Sequence, residues 1–206
     1  MGFQLYYITD RKQIPGASLE ATITRAIAAG IDWVQIREKD LPARSLLSLT
    51  QAAVAQARVE GGTRVMVNDR LDVALAAGAH GVHLGTHSMP LRRVRRLTPR
   101  EFVLGASCHS LAGALAAQDA GADYILLGPI FSTPSKLPYG PPLGLTVLHE
   151  ATSQLTIPVF ALGGISPDRV TLCRQNGAAG VAGIRLFQES PALDALIPSL
   201  HEYGER

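Results

Sequence analysis

Ala29-Gly30-Ile31-Asp32-Trp33-Val34-Gln35 decides the fold, because it returns three times along the chain. Its echoes are Ala77-Gly78-Ala79-His80-Gly81-Val82-His83, Ala120-Gly121-Ala122-Asp123-Tyr124-Ile125-Leu126 and Asn176-Gly177-Ala178-Ala179-Gly180-Val181-Ala182. Each reads as a helix end, a glycine suited to the left-handed position just past the helix, a tight loop and an apolar strand. The glycines are 48, 43 and 56 residues apart. A barrel of ~200 residues with eight βα units gives each unit about 25 residues. Each interval therefore holds two units, and four marks imply eight.

The strands between these marks are expected over Leu5–Ile8, Trp33–Ile36, Arg64–Val67, Val82–Leu84, Phe102–Ala106, Tyr124–Leu127, Val159–Leu162 and Val181–Ile184. Helices are expected over Leu19–Ala28, Ala43 to about Arg58, Leu71–Ala77, Pro90–Leu97, Leu111–Ala120, about Leu145–Thr152, Pro167 or Asp168 to Asn176, and from about Pro191 onward. Strand and helix in strict alternation give an α/β chain forming a single-domain TIM (β/α)8 barrel over residues 1–206. A dinucleotide-binding open sheet fits less well, since no G-x-G-x-x-G opens a helix after strand 1.

Composition agrees with one compact core: 206 residues, 47% hydrophobic, 17% charged. A net charge of +2 and 5% aromatics give no footprint for nucleic acid. The cluster Arg92, Arg93, Arg95, Arg96 and Arg100 reads as a solvated helix face. Cys108 and Cys173 match no metal or redox spacing and are expected as buried thiols in a reducing cytoplasm. The N-terminal stretch runs directly into a strand and does not resemble a signal peptide. No apolar run reaches the ~18 residues of a membrane span. Partners are thus expected to be small molecules, with no nucleic acid and no membrane, and with self-association left open.

In a TIM barrel chemistry sits at the C-terminal ends of the strands. Those ends carry Thr9 and Asp10, then Gln35, Arg37 and Lys39, then Asn68, Asp69 and Arg70. Further round come His83, Thr86 and His87, then Ser107 and His109, then Thr133, Ser135 and Lys136, with Gly163-Gly164 and Arg185 last. In extended chain Arg37 and Lys39 point the same way, which suits a polyanion. Two anion sites are expected. Gly163-Gly164 with the turn after strand 8 matches a backbone phosphate cradle, the alternative being a turn needed only for chain reversal. Arg37, Lys39 and Lys136 gather with the Thr133 and Ser135 hydroxyls at the second. Asp69 among them suggests Mg2+ bridging to phosphate, the alternative being a salt bridge to Arg37 or Arg70. His80, His83 and His87 do not converge on a metal at this spacing.

Six motifs then stand in order: Tyr7-Ile8-Thr9-Asp10, Gln35-Ile36-Arg37-Glu38-Lys39-Asp40, Asn68-Asp69-Arg70, His83-Leu84-Gly85, Gly128-Pro129-Ile130-Phe131 with Thr133 and Lys136, and Gly163-Gly164-Ile165. Together they resemble the thiamine phosphate synthase/TenI family from strand 1 to strand 8. The resemblance implies a transferase joining hydroxymethylpyrimidine diphosphate to thiazole phosphate and releasing thiamine phosphate and pyrophosphate. It implies Arg37, Lys39, Asn68, Ser107 and Lys136 on the pyrophosphate, Gln35 in the substrate site, and Asp69 on Mg2+. It further implies Thr133, Ser135, Gly164, Ile184 and Arg185 on the thiazole phosphate. Expulsion of a polyanion makes electrostatic stabilisation, rather than acid–base work, the main demand.

Three positions depart from the pattern. Thr86 and Ser88 stand where the family's synthases show Gln and Asp, so the second metal carboxylate is absent. Arg185 replaces a Ser, and Leu137–Pro142 looks more like the TenI type. TenI-type members are metal-independent thiazole tautomerases, in which the residue matching His109 shuttles the proton. A barrel that binds thiamine intermediates and regulates without turnover is a third reading, resting on Ser88 alone.

Overall fold

The structure is a computed structural model and describes residues 2–14, 18–133 and 141–205. Eight parallel strands close into a barrel in sequence order. They are β1 Gln4–Ile8, β2 Trp33–Ile36, β3 Arg64–Asn68, β4 Gly81–Leu84, β5 Val103–Cys108, β6 Tyr124–Leu127, β7 Val159–Leu162 and β8 Gly180–Gly183. The ring shuts where Gln4 to Tyr7 of β1 pair with Gly180 to Gly183 of β8. Around it lie α1 Leu19–Ala28, α2 Ala43–Glu60, α3 Leu71–Ala77, α4 Leu91–Leu97, α5 Leu111–Asp119, α6 Gly144–Gln154, α7 Pro167–Gln175, α8 Arg185–Gln188 and α9 Leu193–Glu205.

The repeat does what its glycines require. Gly30, Gly78, Gly121 and Gly177 all have φ between +66° and +97°, the left-handed conformation that ends the preceding helix. The polar residue two places on has a second role. Asp32 accepts a hydrogen bond from the Leu5 N–H at 2.7 Å, His80 Nδ1 from Val65 at 3.0 Å and Asp123 from Leu104 at 2.7 Å. The loop before each of β2, β4 and β6 is thereby stitched to the start of the strand before it. The fourth copy has Ala179, whose methyl group offers no acceptor.

Side chains alternate across every strand. One set faces the helices, where Leu5, Val34, Val65, Leu104 and Val181 meet apolar helix faces. On α2 the buried positions Leu46, Leu49, Thr50, Ala53, Val54 and Ala57 form one helical stripe. The other set fills the lumen with Tyr6, Trp33, Met66, Tyr124, Leu126 and Phe160. Tyr6 stacks on Trp33 with centroids 5.5 Å apart, and Phe160 meets Tyr6, Trp33 and Tyr124 edge-on. Such pairs contribute about 0.5–1.5 kcal/mol each beyond burial. Their bulk is accommodated at Gly105, where a Cβ would strike the Tyr124 ring, and at Gly180, where it would meet Phe160 and the Gln4 carbonyl.

Two boundaries differ from the expected ones in ways that matter. Strand β5 continues to Cys108, so Ser107 is a strand residue facing the lumen rather than a loop residue. The turn expected after β8 is the one-turn helix α8, whose first residue is Arg185. Four residues are too few for helical periodicity to register in the sequence. Cys108 and Cys173 are buried free thiols, and burial pushes them up to about 11 and about 12. Among the described residues no helix is long and apolar enough to cross a membrane.

Candidate active site at the C-terminal rim

Because all eight strands are parallel, every strand's C-terminal end opens on the same rim. The hexapeptide after β2 is sorted there by sign. Glu38 turns inward and is buried, accepting hydrogen bonds from the Thr9 hydroxyl at 2.7 Å and from the Arg11 backbone N–H and guanidinium. Asp40 is paired with Arg11 and Lys12, which hold its carboxyl well below the usual range. Among the described residues Arg37 and Lys39 have no acidic partner, so their charge is left uncancelled. The chain turns at Glu38–Leu41, with Leu41 N–H on the Glu38 carbonyl. The extended geometry expected to align Arg37 with Lys39 therefore stops short of Lys39, which is exposed in that turn. Arg37 is set by its own N–H, which donates to Thr9 Oγ1 at 2.9 Å.

At the end of β3, Asn68 is half-buried and Asp69 exposed. Asp69 has φ +65°, a left-handed conformation uncommon outside glycine and frequent at functional sites. Its N–H donates to the His83 carbonyl at 2.9 Å, and Arg70 pairs with Asp72 instead of Asp69. No described cation forms an ion pair with Asp69, so the salt-bridge reading of that residue is set aside among the described residues. Ser88 accepts from the Gly85 N–H at 2.8 Å and closes its own loop. The three histidines lie apart: His80 at the opposite end of the barrel, His83 in the lumen, His87 exposed. Among the described residues no three His, Cys, Asp or Glu come together as metal ligands.

Under the rim runs a buried polar chain that sequence reading missed. Gln35 Nε2 donates to Tyr6 Oη at 3.1 Å, and Tyr6 Oη lies 2.7 Å from Tyr124 Oη. Tyr124 Oη is 3.1 Å from His83 Nδ1, and His83 Nε2 is 2.8 Å from Ser107 Oγ. Burial, with Arg37 nearby, lowers His83 to about 3, so the ring is neutral. Burial raises both phenols above their ordinary value.

On the other half of the rim, Arg185 Nη2 donates to Thr133 Oγ1 at 3.3 Å, bringing together two residues 52 apart in sequence. Gly163 and Gly164 have φ of +96° and +66°, and a Cβ on Gly164 would strike the Ser132 carbonyl and Phe131. Packing alone thus requires glycine there. The Gly164 carbonyl accepts from Arg169, whose guanidinium lies over Phe131. Ile184 leads into α8. From α8, Gln188 accepts from Tyr7 Oη and the Asp10 N–H and donates to the Asp10 carbonyl, clipping the loop after β1 to the end of β8. His109 is exposed, and its Nδ1 donates to the Gly128 carbonyl, which leaves Nε2 as the basic nitrogen of the neutral ring. Ser135 and Lys136, and with them the expected neighbourhood of Lys136 and Arg37, lie outside the described residues.

A family model described as thiamine monophosphate synthase matches residues 5–187. A Geobacter sulfurreducens protein provisionally named thiamine-phosphate synthase is 47% identical over 203 residues, covering 95% of each chain. The thiamine-phosphate synthase of Methanoculleus marisnigri is 43% identical over 89% of this chain and 87% of its own. Among solved structures, thiamine phosphate pyrophosphorylase from Pyrococcus furiosus superposes with a TM-score of 0.88 at 31% identity, covering 98% of this chain and 96% of that one. With a match that begins in β1 and ends in α8, the chain belongs to the thiamine monophosphate synthase family.

Proposed function

We propose that this chain is a thiamine-phosphate synthase, a transferase of thiamine biosynthesis. It joins the pyrimidine methylene of hydroxymethylpyrimidine diphosphate to the nitrogen of thiazole phosphate. The C–O bond to the diphosphate breaks, its electron pair leaves with pyrophosphate, and the new C–N bond gives thiamine phosphate. The observation that carries this reading is the sorted hexapeptide: both of its carboxylates are neutralised locally, while Arg37 and Lys39 keep their charge at the rim of a family barrel.

In this reading Arg37, Lys39, Asn68, Ser107 and Lys136 hold the diphosphate and stabilise it as it leaves. Thr133, Ser135, Gly164, Ile184 and Arg185 hold the thiazole phosphate, with the Arg185–Thr133 hydrogen bond supporting that grouping. Gln35 faces the pyrimidine from the lumen side. Asp69 fits a Mg2+ shared with the diphosphate: it is an exposed rim carboxylate with no described cation on it. Mg2+ takes one or two carboxylates plus substrate phosphates, so one suffices once diphosphate is present. Ser88, occupied with Gly85 N–H, adds none. Bound Mg2+ would neutralise charge on the leaving diphosphate.

A second reading, the thiazole tautomerase, has one supporting observation, the basic Nε2 of His109 set by Gly128. One experiment separates the two. Protein, hydroxymethylpyrimidine diphosphate, thiazole phosphate and Mg2+ should yield thiamine phosphate, EDTA should abolish it, and Ser88→Asp should lower the Mg2+ requirement. No product at any Mg2+ level, together with EDTA-insensitive thiazole aromatisation that His109→Ala destroys, would move the assignment to the tautomerase.

A further inference from the structure

The buried chain from Gln35 to Ser107 has a direction that follows from counting protons. Gln35 presents its amide nitrogen to Tyr6, and an amide nitrogen only donates. Tyr6 Oη accepts that bond, so its own proton has one acceptor left, Tyr124 Oη. Tyr124 in turn donates to His83 Nδ1. A neutral imidazole that accepts at Nδ1 carries its proton on Nε2, which therefore donates to Ser107 Oγ. The reverse direction leaves the Tyr6 proton facing an N–H in the lumen, where both tyrosines are at most 1% exposed. Among the described residues the Ser107 hydroxyl bonds to no side chain but His83, and with one lone pair engaged there its own proton is available to a ligand.

We infer that Gln35, Tyr6, Tyr124 and His83 form a one-way hydrogen-bond relay that holds the Ser107 hydroxyl as a donor for the substrate diphosphate. This rests on the synthase reading above and deepens it. The anion contact belongs to Ser107, and His83, Tyr124 and Tyr6 are positioning residues that act through it. A serine hydroxyl ordinarily rotates, and toward a polyanion half of its character is repulsive lone pair. Fixing it as a donor removes the wrong orientation before the ligand arrives. A chain of donors also polarises its last member, strengthening that bond. Neutral members suit this role, because phenols raised by burial and an imidazole depressed by it stay uncharged throughout the working range.

The first test needs no substrate. In the full-length protein with 15N-labelled histidine, the His83 ring should show a protonated Nε2 and a bare Nδ1. A protonated Nδ1 would overturn the proposal. Gln35→Glu places an acceptor where the amide nitrogen donates, so it should reverse the chain and move the His83 proton to Nδ1. The second test measures inorganic pyrophosphate binding by calorimetry in the presence of Mg2+. Tyr124→Phe should weaken it about tenfold, Tyr6→Phe less, because Tyr124 can still donate to His83. In a Ser107→Ala background, Tyr124→Phe should cost nothing further, since the residue the relay acts through is gone. Additive losses would mark Tyr124 as merely structural and sink the relay. In turnover, Tyr124→Phe should raise KM for the pyrimidine diphosphate and leave KM for thiazole phosphate unchanged. A wild-type protein that does not bind pyrophosphate refutes the relay's role. One that binds it with the expected coupling, yet makes no thiamine phosphate, refutes the synthase reading and leaves the relay standing.

Discussion

The two ends of the barrel use polar residues in opposite ways. At the N-terminal end the polar residues of the repeat are occupied by the fold. Asp32, His80 and Asp123 accept backbone N–H groups, and Arg95 binds the Phe102 and Gly121 carbonyls and Asp123. Arg64 lies over Trp33, whose indole N–H donates to Gln4. A cavity of about 190 Å³ opens there between Trp33, Arg64, Asp123 and Tyr124. At the C-terminal end the fold occupies Glu38, Asp40 and Gln188 and leaves Arg37, Lys39 and Asp69 without an ion-pair partner among the described residues. In this barrel the motif residues whose charge the fold leaves over, Arg37, Lys39 and Asp69, mark the chemical end, and the hollow at the other end is lined by none of them.

The comparison breaks first at Glu38, which sits at the functional rim yet belongs to the fold. Glu38→Ala strips acceptors from the buried Thr9 hydroxyl and the Arg11 N–H and frees Arg37's anchor. Removing a buried, multiply bonded carboxylate should cost about 3 kcal/mol of stability in denaturant titration. A loss below ~1 kcal/mol would return Glu38 to the solvated loop. Arg37→Ala should do the converse: leave the denaturation midpoint unchanged and weaken pyrophosphate binding by about 2 kcal/mol, roughly 30-fold, since charge-assisted bonds to phosphate are the strong ones. Unchanged affinity in calorimetry would overturn the anion-site assignment.

The fold was legible because its signal is local and repeated. A left-handed glycine after a helix, then an apolar strand, can be seen in seven residues, and Gly30, Gly78, Gly121 and Gly177 carry it four times. What the repeat's Asp and His do was not legible, because each bond is to a different strand. The rim positions of Arg37, Asn68, Asp69, Ser107 and Arg185 follow from strand order alone. Their sorting does not: Glu38 and Asp40 look like Arg37 and Lys39 until Arg11 and Lys12, almost thirty residues away, claim them. The relay was hidden for the same reason, Tyr6 and Tyr124 being 118 residues apart. Tyr6 and Tyr124 read as core aromatics, and they are that too.

The smallest effect tests the stitching of the N-terminal end. Asp32 holds the Leu5 N–H and lies near His201 Nε2 at 3.4 Å. Even so, burial outweighs these contacts and raises its carboxyl above the ordinary value. An acid whose folded pKa is raised binds protons more tightly folded than unfolded, so its charged form opposes folding once pH exceeds both values. The hydrogen bond and the charge can then be separated. Asp32→Ala removes the acceptor and leaves the Leu5 N–H at the base of β1 unanswered, which should cost about 1–2 kcal/mol at neutral pH. Asp32→Asn keeps a carbonyl oxygen for Leu5 and discards the desolvated charge, so it should fall within about 0.5 kcal/mol of the parent or exceed it. Ala179, which fills the same place in the fourth copy, shows that the barrel closes with one stitch fewer. If Asn proves as costly as Ala, the carboxylate's charge toward His201 is what matters, and the repeat's acid is an ion-pair residue rather than a backbone acceptor.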